Sequence, residues 1–237
     1  ASGTTTGVED GQTVTVVFTD GSNATVTATT TVSTNAWTLT GSEADISGLD
    51  NGTITITANV SDVAGNAASQ ASKTITLDNV APSAPSNAID LADGSDTGGS
   101  NSDNKTNDTT PTVRVDLTGT NAVAGDTLEL LLGGASLSSA VTKTLDSTDI
   151  SNAYVDLTTG ADLGSDGDKV FTAKVTDVAG NIGSAGGSLT VTLDTAAAIT
   201  IAGTLEVDDI ANASEDDTVV ASGTTTGVED GQTVTVV

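Results

Sequence analysis

The sequence predicts an all-β chain built of tandem immunoglobulin-like β-sandwiches, about seven antiparallel strands each, in an extended array. Three observations carry this expectation. Apolar residues alternate with Thr and Ser at a period of two, the pattern of a half-buried strand. Asp-Gly, Asn-Gly and Gly-Gly dipeptides punctuate the alternating runs where a chain must turn. And the chain repeats itself, because ASGTTTGVEDGQTVTVV occupies residues 1–17 and again residues 221–237, an offset of 220.

A second, diverged repeat lies inside the first. VSDVAGNAASQASKTITLDNVAP at 60–82 matches VTDVAGNIGSAGGSLTVTLDTAAA at 175–198, so Asp78 and Asp194 correspond at a spacing of 116 residues and 104 remain. Both spacings suit one immunoglobulin-sized unit, and repeats of this kind stack as neighbours. The expected division is 1–80 as the C-terminal part of a split domain, 81–195 as a complete one, and 196–237 as the start of the next copy of the first type. With no Met in the chain, the sequence reads as a window on a longer array.

Element by element, residues 1–7 read as the tail of a strand, followed by strands at 12–18, 24–32, 35–40, 52–61 and 71–77. In GTITITANV, Ile54, Ile56, Ala58 and Val60 share one face while Thr53, Thr55, Thr57 and Asn59 share the other. Thr suits the outward positions because its branched Cβ packs on a pleated surface. The second domain predicts strands near 87–92, 112–119, 126–132, 140–145, 152–158, 169–176 and 188–194. The last segment predicts strands at 198–207 and 217–224. No window supports a helix of useful length.

Composition narrows the function. Apolar residues make up 36% of the chain, yet Phe18, Trp37, Tyr154 and Phe171 are the aromatics, which suits thin sandwich cores. Thirty-two acidic residues stand against 6 basic ones, with no His, for a net charge of −26. That balance excludes nucleic acid as a partner, since phosphate binding needs a basic footprint, and disfavours an anionic membrane surface. There is no apolar run of 18 residues, so no membrane insertion is expected in this segment. Like charge at this density opposes a compact fold unless cations offset it. Without Cys there are no disulfides, thiolate sites or cysteine nucleophiles, and without His the common nucleophile–base pairs are gone too. Phosphate-binding glycine loops and the GxSxG elbow are missing, and a carboxylate-pair glycosidase needs a cleft that four scattered aromatics do not suggest. The reading is not an enzyme.

The acidic clusters are the candidate site. DGSDTGGSNSDNKTND at 93–108 gathers Asp93, Asp96, Asp103 and Asp108 between the first two strands of the second domain. EVDDIANASEDD at 206–217 places Asp208, Asp209 and Glu215 at the matching position of the other unit. SDVAGN and TDVAGN supply Asp62, Asp177 and Asn181, and Asp78 and Asp194 sit where one unit hands over to the next. Hard oxygen ligands in Gly- and Asn-rich loops suit Ca²⁺. Asp, Asn, Ser and Gly are also the commonest turn formers, so both readings stand for any single residue, and recurrence at matching places in both units favours calcium. Neither the EF-hand spacing nor a run of GGxGxDxUx nonapeptides is present. Sandwich topology brings first loops, exit aspartates and DVAGN loops together at junctions, so Asp78 is expected to meet Asp177 and Asn181, and Asp194 to join Asp93, Asp96 and Asp103.

TLEVDDIANASEDDTVVASGTTTGVEDGQTVTV, VSDVAGNAASQASKTITLDNVAP and SDTGGSNSDNKTNDTTPTV resemble the bacterial Ig-like extender repeats of giant type I-secreted RTX-class adhesins, the biofilm-associated large surface adhesin family. The resemblance spans essentially the whole chain. It implies spacer domains outside a Gram-negative cell, anchored at the outer membrane or secreted, with Ca²⁺ at the acidic linkers and first loops stiffening the junctions. The partners implied are neighbouring repeats of the same polypeptide, with any host, surface or biofilm-matrix ligand held by other domains. One departure is that Asp194 is followed by TAAA, so this linker lacks the proline present at 82. The alternatives are a carbohydrate- or cell-surface-binding Ig-like module and a filament subunit that assembles by strand exchange.

Overall fold

The computed structural model describes residues 1–86, 89–202, 213 and 219–236. The chain forms two compact units, 1–81 with 179–181 and 82–178 with 182–237. Among the described residues no helix is long and apolar enough to cross a membrane.

The first unit holds β1 (Ser2–Thr4), β2 (Thr13–Thr19), β3 (Thr25–Thr31), β4 (Ala36–Thr38), β5 (Gly52–Asn59) and β6 (Ala71–Leu77). They form a four-stranded sheet in the order β3-β2-β5-β6 and a two-stranded sheet of β1 and β4. Alternation works as expected on β2, where Val14, Val16 and Phe18 turn inward and Thr13, Thr15 and Thr19 do not. These residues join Val8, Val32, Leu39, Leu49 and Ile54 in one core, with Trp37 and Ile56 packed against it. Strand β6 is the exception, because Ile75 stays 38% exposed although its TIT pattern reads as half-buried.

The second unit begins with β7 (Ile89–Leu91), β8 (Lys105–Thr106), β9 (Thr112–Asp116), β10 (Thr127–Leu132) and β11 (Ala135–Thr144). It continues through helix α1 (Ser147–Asn152), β12 (Tyr154–Thr158), β13 (Gly167–Thr176) and β14 (Gly186–Leu193). A three-stranded sheet, β12-β9-β7, and a five-stranded sheet, β11-β10-β13-β14-β8, enclose the core. Val113, Val115, Val155, Leu157, Ile89 and Leu91 come from the first sheet and Leu128, Leu130, Phe171, Ala173, Leu189 and Val191 from the second. This is sheet-on-sheet packing with alternate residues turned inward. Strands β15 (Ala198–Ile201) and β16 (Gly223–Thr226) follow as an antiparallel pair.

Three local features depart from the expectation. Residues 147–152 are helical, held by a capping box in which Asp146 accepts from the Thr148 and Asp149 amides at 2.7 and 2.9 Å. Asp149 returns the bond by accepting from the Asp146 amide at 2.9 Å. These bonds satisfy the amide donors that a helix start leaves open. Strand β8 is new, a two-residue piece that runs parallel to β14 from within the acidic loop. Of the strand expected at 217–224, residues 217 and 218 lie outside the described residues and the described strand is Gly223–Thr226; of that expected at 198–207, Ala198–Ile201 is a strand and 203–207 lie outside the described residues.

Candidate cation site

The loop from β7 to β9 is organised by its polar side chains. Ala92 starts a turn whose carbonyl accepts from the Ser95 and Asp96 amides at 2.7 and 3.1 Å. Ser95 Oγ donates to Asp108 Oδ2 at 2.9 Å and accepts from the Thr112 amide at 2.9 Å, so the start of the loop is tied to its end. Asp108 Oδ1 accepts from the Thr110 amide at 2.9 Å. Further along, Thr97 N donates to Lys105 O, and β8 pins the loop to β14 through Thr192 N to Asn104 O and Asp194 N to Thr106 O, both 2.9 Å.

Folding the loop inward buries Asp96 to 5% exposure. Its Oδ2 accepts from the Asn104 amide at 3.2 Å, but its Oδ1 is buried with no hydrogen-bond partner, and so is Asn104 Oδ1. Asn104 itself is held at φ 58°, in the left-handed region, where Asn is tolerated better than most residues. A buried carboxylate oxygen left without a donor is costly. Two such hard oxygens in one loop fit a hard cation, and Ca²⁺ takes both carboxylate and amide oxygen ligands.

The other expected ligands fall into distinct settings. Asp93 and Asp103 are exposed, and Asp108 is half-buried. Asp103 and Asp194 both line a cleft along the loop together with Thr97, Asn107 and Glu229. Among the described residues no group of three acidic side chains is placed to hold a metal, so the acidic convergence expected at Asp194 is limited to residues sharing that cleft. Asp62 closes its own turn, with Oδ1 accepting from the Asn66 amide at 2.7 Å and Oδ2 from Asn66 Nδ2 at 2.8 Å. The Asn66 side chain first, then the amide, holds the Asp62 carboxyl below the usual aspartate range, against a smaller effect of burial. In the first compact unit, Asn181 Nδ2 donates to the Asp78 carbonyl at 3.1 Å. Asp177 is half-buried just after β13. Asp208, Asp209 and Glu215 lie outside the described residues.

Sequence reasoning named Asp96 but missed Asn104 as a partner oxygen. No local signal pointed to it, because Asn104 is placed by the bridge of the following Lys105–Thr106 pair to β14. Two further polar constellations were not anticipated, and both are structural. Arg114 grips Asp156 through two hydrogen bonds of 2.7 Å and lies 4.2 Å from the Tyr154 ring centroid, the fork and stacking geometry that guanidinium favours. Asp20 is 5% exposed and fully satisfied, accepting from Ser22, Ala24 and Asp50 at 2.8–2.9 Å.

No curated protein sequence matches the chain. Among solved structures it is similar to a tetra-tandem repeat in the extending region of a large adhesion protein, at 26% identity over 94% of this chain and 51% of that one, with a TM-score of 0.33. It is also similar to a structure concerned with host cell surface retention of a 1.5-MDa bacterial ice-binding adhesin, at 24% identity, 95% and 68% coverage and a TM-score of 0.38. The FN1-FN3 domains of chicken CNTN1 are similar at 11% identity, 77% and 56% coverage and a TM-score of 0.41. The chain thus spans about half the length of the first of these structures. Residues 83–195 match the bacterial Ig-like domain family, and they run through the three-stranded and five-stranded sheets and the loop that buries Asp96: over these residues the chain carries a bacterial Ig-like domain.

Proposed function

We propose that the chain is a structural spacer repeat of a bacterial surface adhesin or extracellular fibre, non-catalytic, with calcium stiffening its loops and junctions. The observation that carries the spacer reading is a bacterial Ig-like domain at 83–195 inside a sequence whose residues 1–17 return letter for letter at 221–237. Exact copying suits a role set by length and stiffness, because each repeat meets only its neighbours. A single binding site would need no such copying.

Calcium is supported by the two unpartnered buried oxygens at Asp96 and Asn104 and by a net charge of −26 that opposes compaction without counter-ions. Asp96 and Asn104 would hold the ion, with Asp103 and Asp194 on the neighbouring cleft. Extracellular sites of this type bind at about 10⁻⁴ to 10⁻³ M, which matches a location outside the cell. The bound ion would supply charge neutralisation and rigidity.

Small-angle scattering of a polypeptide carrying two 220-residue periods tests this reading. Calcium is expected to lengthen and stiffen the particle relative to chelator. Identical maximum dimension and flexibility in both conditions would sink the stiffening role and leave only the spacer role.

A further inference from the structure

One face of the first unit carries no charged residue, in a chain of net charge −26. The sheet β3-β2-β5-β6 turns Val14, Val16, Phe18 and Ile54 into the core, which leaves the alternate residues on the opposite side. These are the odd-numbered residues of β2, β3 and β5 and the even-numbered residues of β6, fifteen in all. Twelve of them are Thr, and the others are Val17, Asn59 and Ser72. The register shows that they share a face, because Thr13 lies opposite Thr31, Thr15 opposite Asn59 and Thr55 opposite Thr74. All are exposed or half-buried, and the four strands lie wholly within residues 13–77.

The fold does not require a neutral face. In the second unit β11-β10-β13-β14 repeats the order β3-β2-β5-β6, and its outer side carries Glu129, Asp168 and Lys174. Glu129 stands directly opposite Lys174, with an ion pair of 3.1 Å. The matching cross-strand pair of the first unit is Thr15 and Asn59. Asn59 and Lys174 each lie three residues before the Asp of a DVAGN loop, and Thr53 and Asp168 each lie nine before it. Thr suits a strand in either unit. Strand propensity thus accounts for Thr on such a face but not for the exclusion of every charge from it.

What such a face can meet follows from its chemistry. Hydroxyls both donate and accept, so two Thr faces can satisfy each other's hydrogen bonds, whereas carboxylates only accept. The branched Thr side chain has few rotamers to lose on contact. Two copies of a chain this acidic repel one another, and their approach is least opposed where neither surface carries charge. A face four strands wide and seven residues long measures about 19 by 24 Å, from a strand spacing of ~4.8 Å and a rise of ~3.4 Å per residue. Two such faces bury about 900 Å² together, below the ~1,600 Å² of a standard stable interface. A single pair is therefore weak, and the contact becomes firm when several pairs on two repeating chains engage together.

We propose that the Thr face of the first unit is a lateral contact between two copies of this polypeptide, which pair side by side with Thr face against Thr face. The contact is isologous, the same patch on both partners, so it closes at two rather than propagating end to end. Every strand stays in its own sheet, and no acidic loop takes part. Each further pair of faces binds as an intramolecular event and raises the overall affinity by about 10²-fold or more. This goes beyond the spacer reading and takes from it only that the face recurs along a repeating polypeptide. Salt strengthens the pairing, because the Debye length falls from ~10 Å at 0.1 M to ~3 Å at 1 M and the repulsion between the two acidic chains falls with it.

Sedimentation velocity in millimolar calcium tests the proposal, comparing the 237-residue chain with a polypeptide that carries four 220-residue periods. At micromolar concentration the single chain is expected to stay monomeric and the four-period polypeptide to form dimers, with a dimer fraction that rises between ~0.1 and ~1 M NaCl. Thr27 and Thr57 flank Val17 at the centre of the face. Thr27→Glu with Thr57→Glu in every period sets like charges against each other, and is expected to lower the dimer association constant by about 100-fold or more. Both residues sit on the solvent side of the sheet, so the fold is kept, as unchanged Trp37 emission would show. Ser188→Glu with Thr190→Glu adds the same charge to the outer side of the second unit, where both residues are exposed, and is expected to leave pairing in place. A four-period polypeptide that stays monomeric at ~1 M NaCl, association that does not grow with the number of periods, dimers that survive the Thr27 and Thr57 substitutions, or an equal loss with the Ser188 and Thr190 substitutions would each overturn the proposal. The spacer reading is judged separately, by scattering of the two-period polypeptide at dilution, which needs no pairing.

Discussion

Asp96 Oδ2 accepts a hydrogen bond from the Asn104 backbone amide at 3.2 Å, while the remaining oxygen of Asp96 and the side-chain oxygen of Asn104 are both buried without a partner. The loop therefore folds around an unbalanced negative charge that a cation would neutralise. At roughly 5 mM calcium, a site of ~10⁻⁴ M affinity stabilises its domain by about 2 kcal/mol through mass action. Thermal unfolding in calcium and in chelator should show that increment in the native chain. Asp96→Asn should remove it, while in chelator the variant should be at least as stable, because the unpaired buried charge is gone. A calcium increment that survives Asp96→Asn would place the ion elsewhere.

Phe171 is fully buried on β13, where it joins the core shared by the two sheets of the Ig-like domain. Truncation to Ala removes its contacts and leaves a cavity, at a cost of about 3–5 kcal/mol. The core of residues 1–81 is a separate cluster. Phe171→Ala should therefore lower the urea midpoint of one unfolding transition and leave that of the other, followed by Trp37 fluorescence, in place. A uniform shift of both would show that the two cores unfold as one.

Asp20 supplies a pH dependence of defined sign. The Asp50 amide is the largest cause holding its carboxyl below the ordinary value of 3.8, burial opposes it, and Ser22 and Ala24 reinforce the lowering. Because the folded value is depressed, its contribution is complete above the unfolded value and is lost as pH falls through the folded one. Urea midpoints between about pH 2 and 6 should decline more steeply in the native chain than in Asp20→Asn. Equal slopes would mean that these hydrogen bonds add nothing to the ionised form.

Strands were legible wherever inward Val, Ile or Leu alternated with Thr, as on β2, β5, β9, β13 and β14. Their edges were less so, because pairing depends on partners distant in sequence. TVTV makes the point. At 13–16 it forms the start of β2, held by β3 on one side and β5 on the other, partners that begin 12 and 39 residues later. Strand propensity expresses packing against neighbours more than an intrinsic preference. Turns are more local, and Gly7 and Gly227 both sit near φ 70° (70° and 67°). Helix α1 was hidden by its length, six residues without apolar periodicity, although DSTD carried a variant of the capping-box signal. The candidate site was legible as a composition of acidic loops. Which acid turns inward was not, because Asp96 is buried by a β8–β14 bridge that no local pattern announces.

Gly3 permits the close packing of β1 against Trp37, the single tryptophan. A Cβ at residue 3 would stand 2.8 Å from Trp37 Nε1 and 2.9 Å from Cε2, too close for either group to stay in place. The indole is half-buried at the edge of the core, so it can yield only by moving outward. Gly3→Ala should destabilise the first unit by about 1–3 kcal/mol, the usual cost of overpacking, and shift Trp37 emission to the red. The counterpart position has a different obstacle, since a Cβ on Gly223 would strike the Thr200 carbonyl across the β15–β16 pair. A Cβ at either position thus meets an obstacle, the Trp37 indole at residue 3 and the Thr200 carbonyl at residue 223. Gly223→Ala should accordingly leave Trp37 emission unchanged while loosening β15, read as faster amide exchange at Ala202. An emission shift from Gly223→Ala, or none from Gly3→Ala, would contradict these contacts.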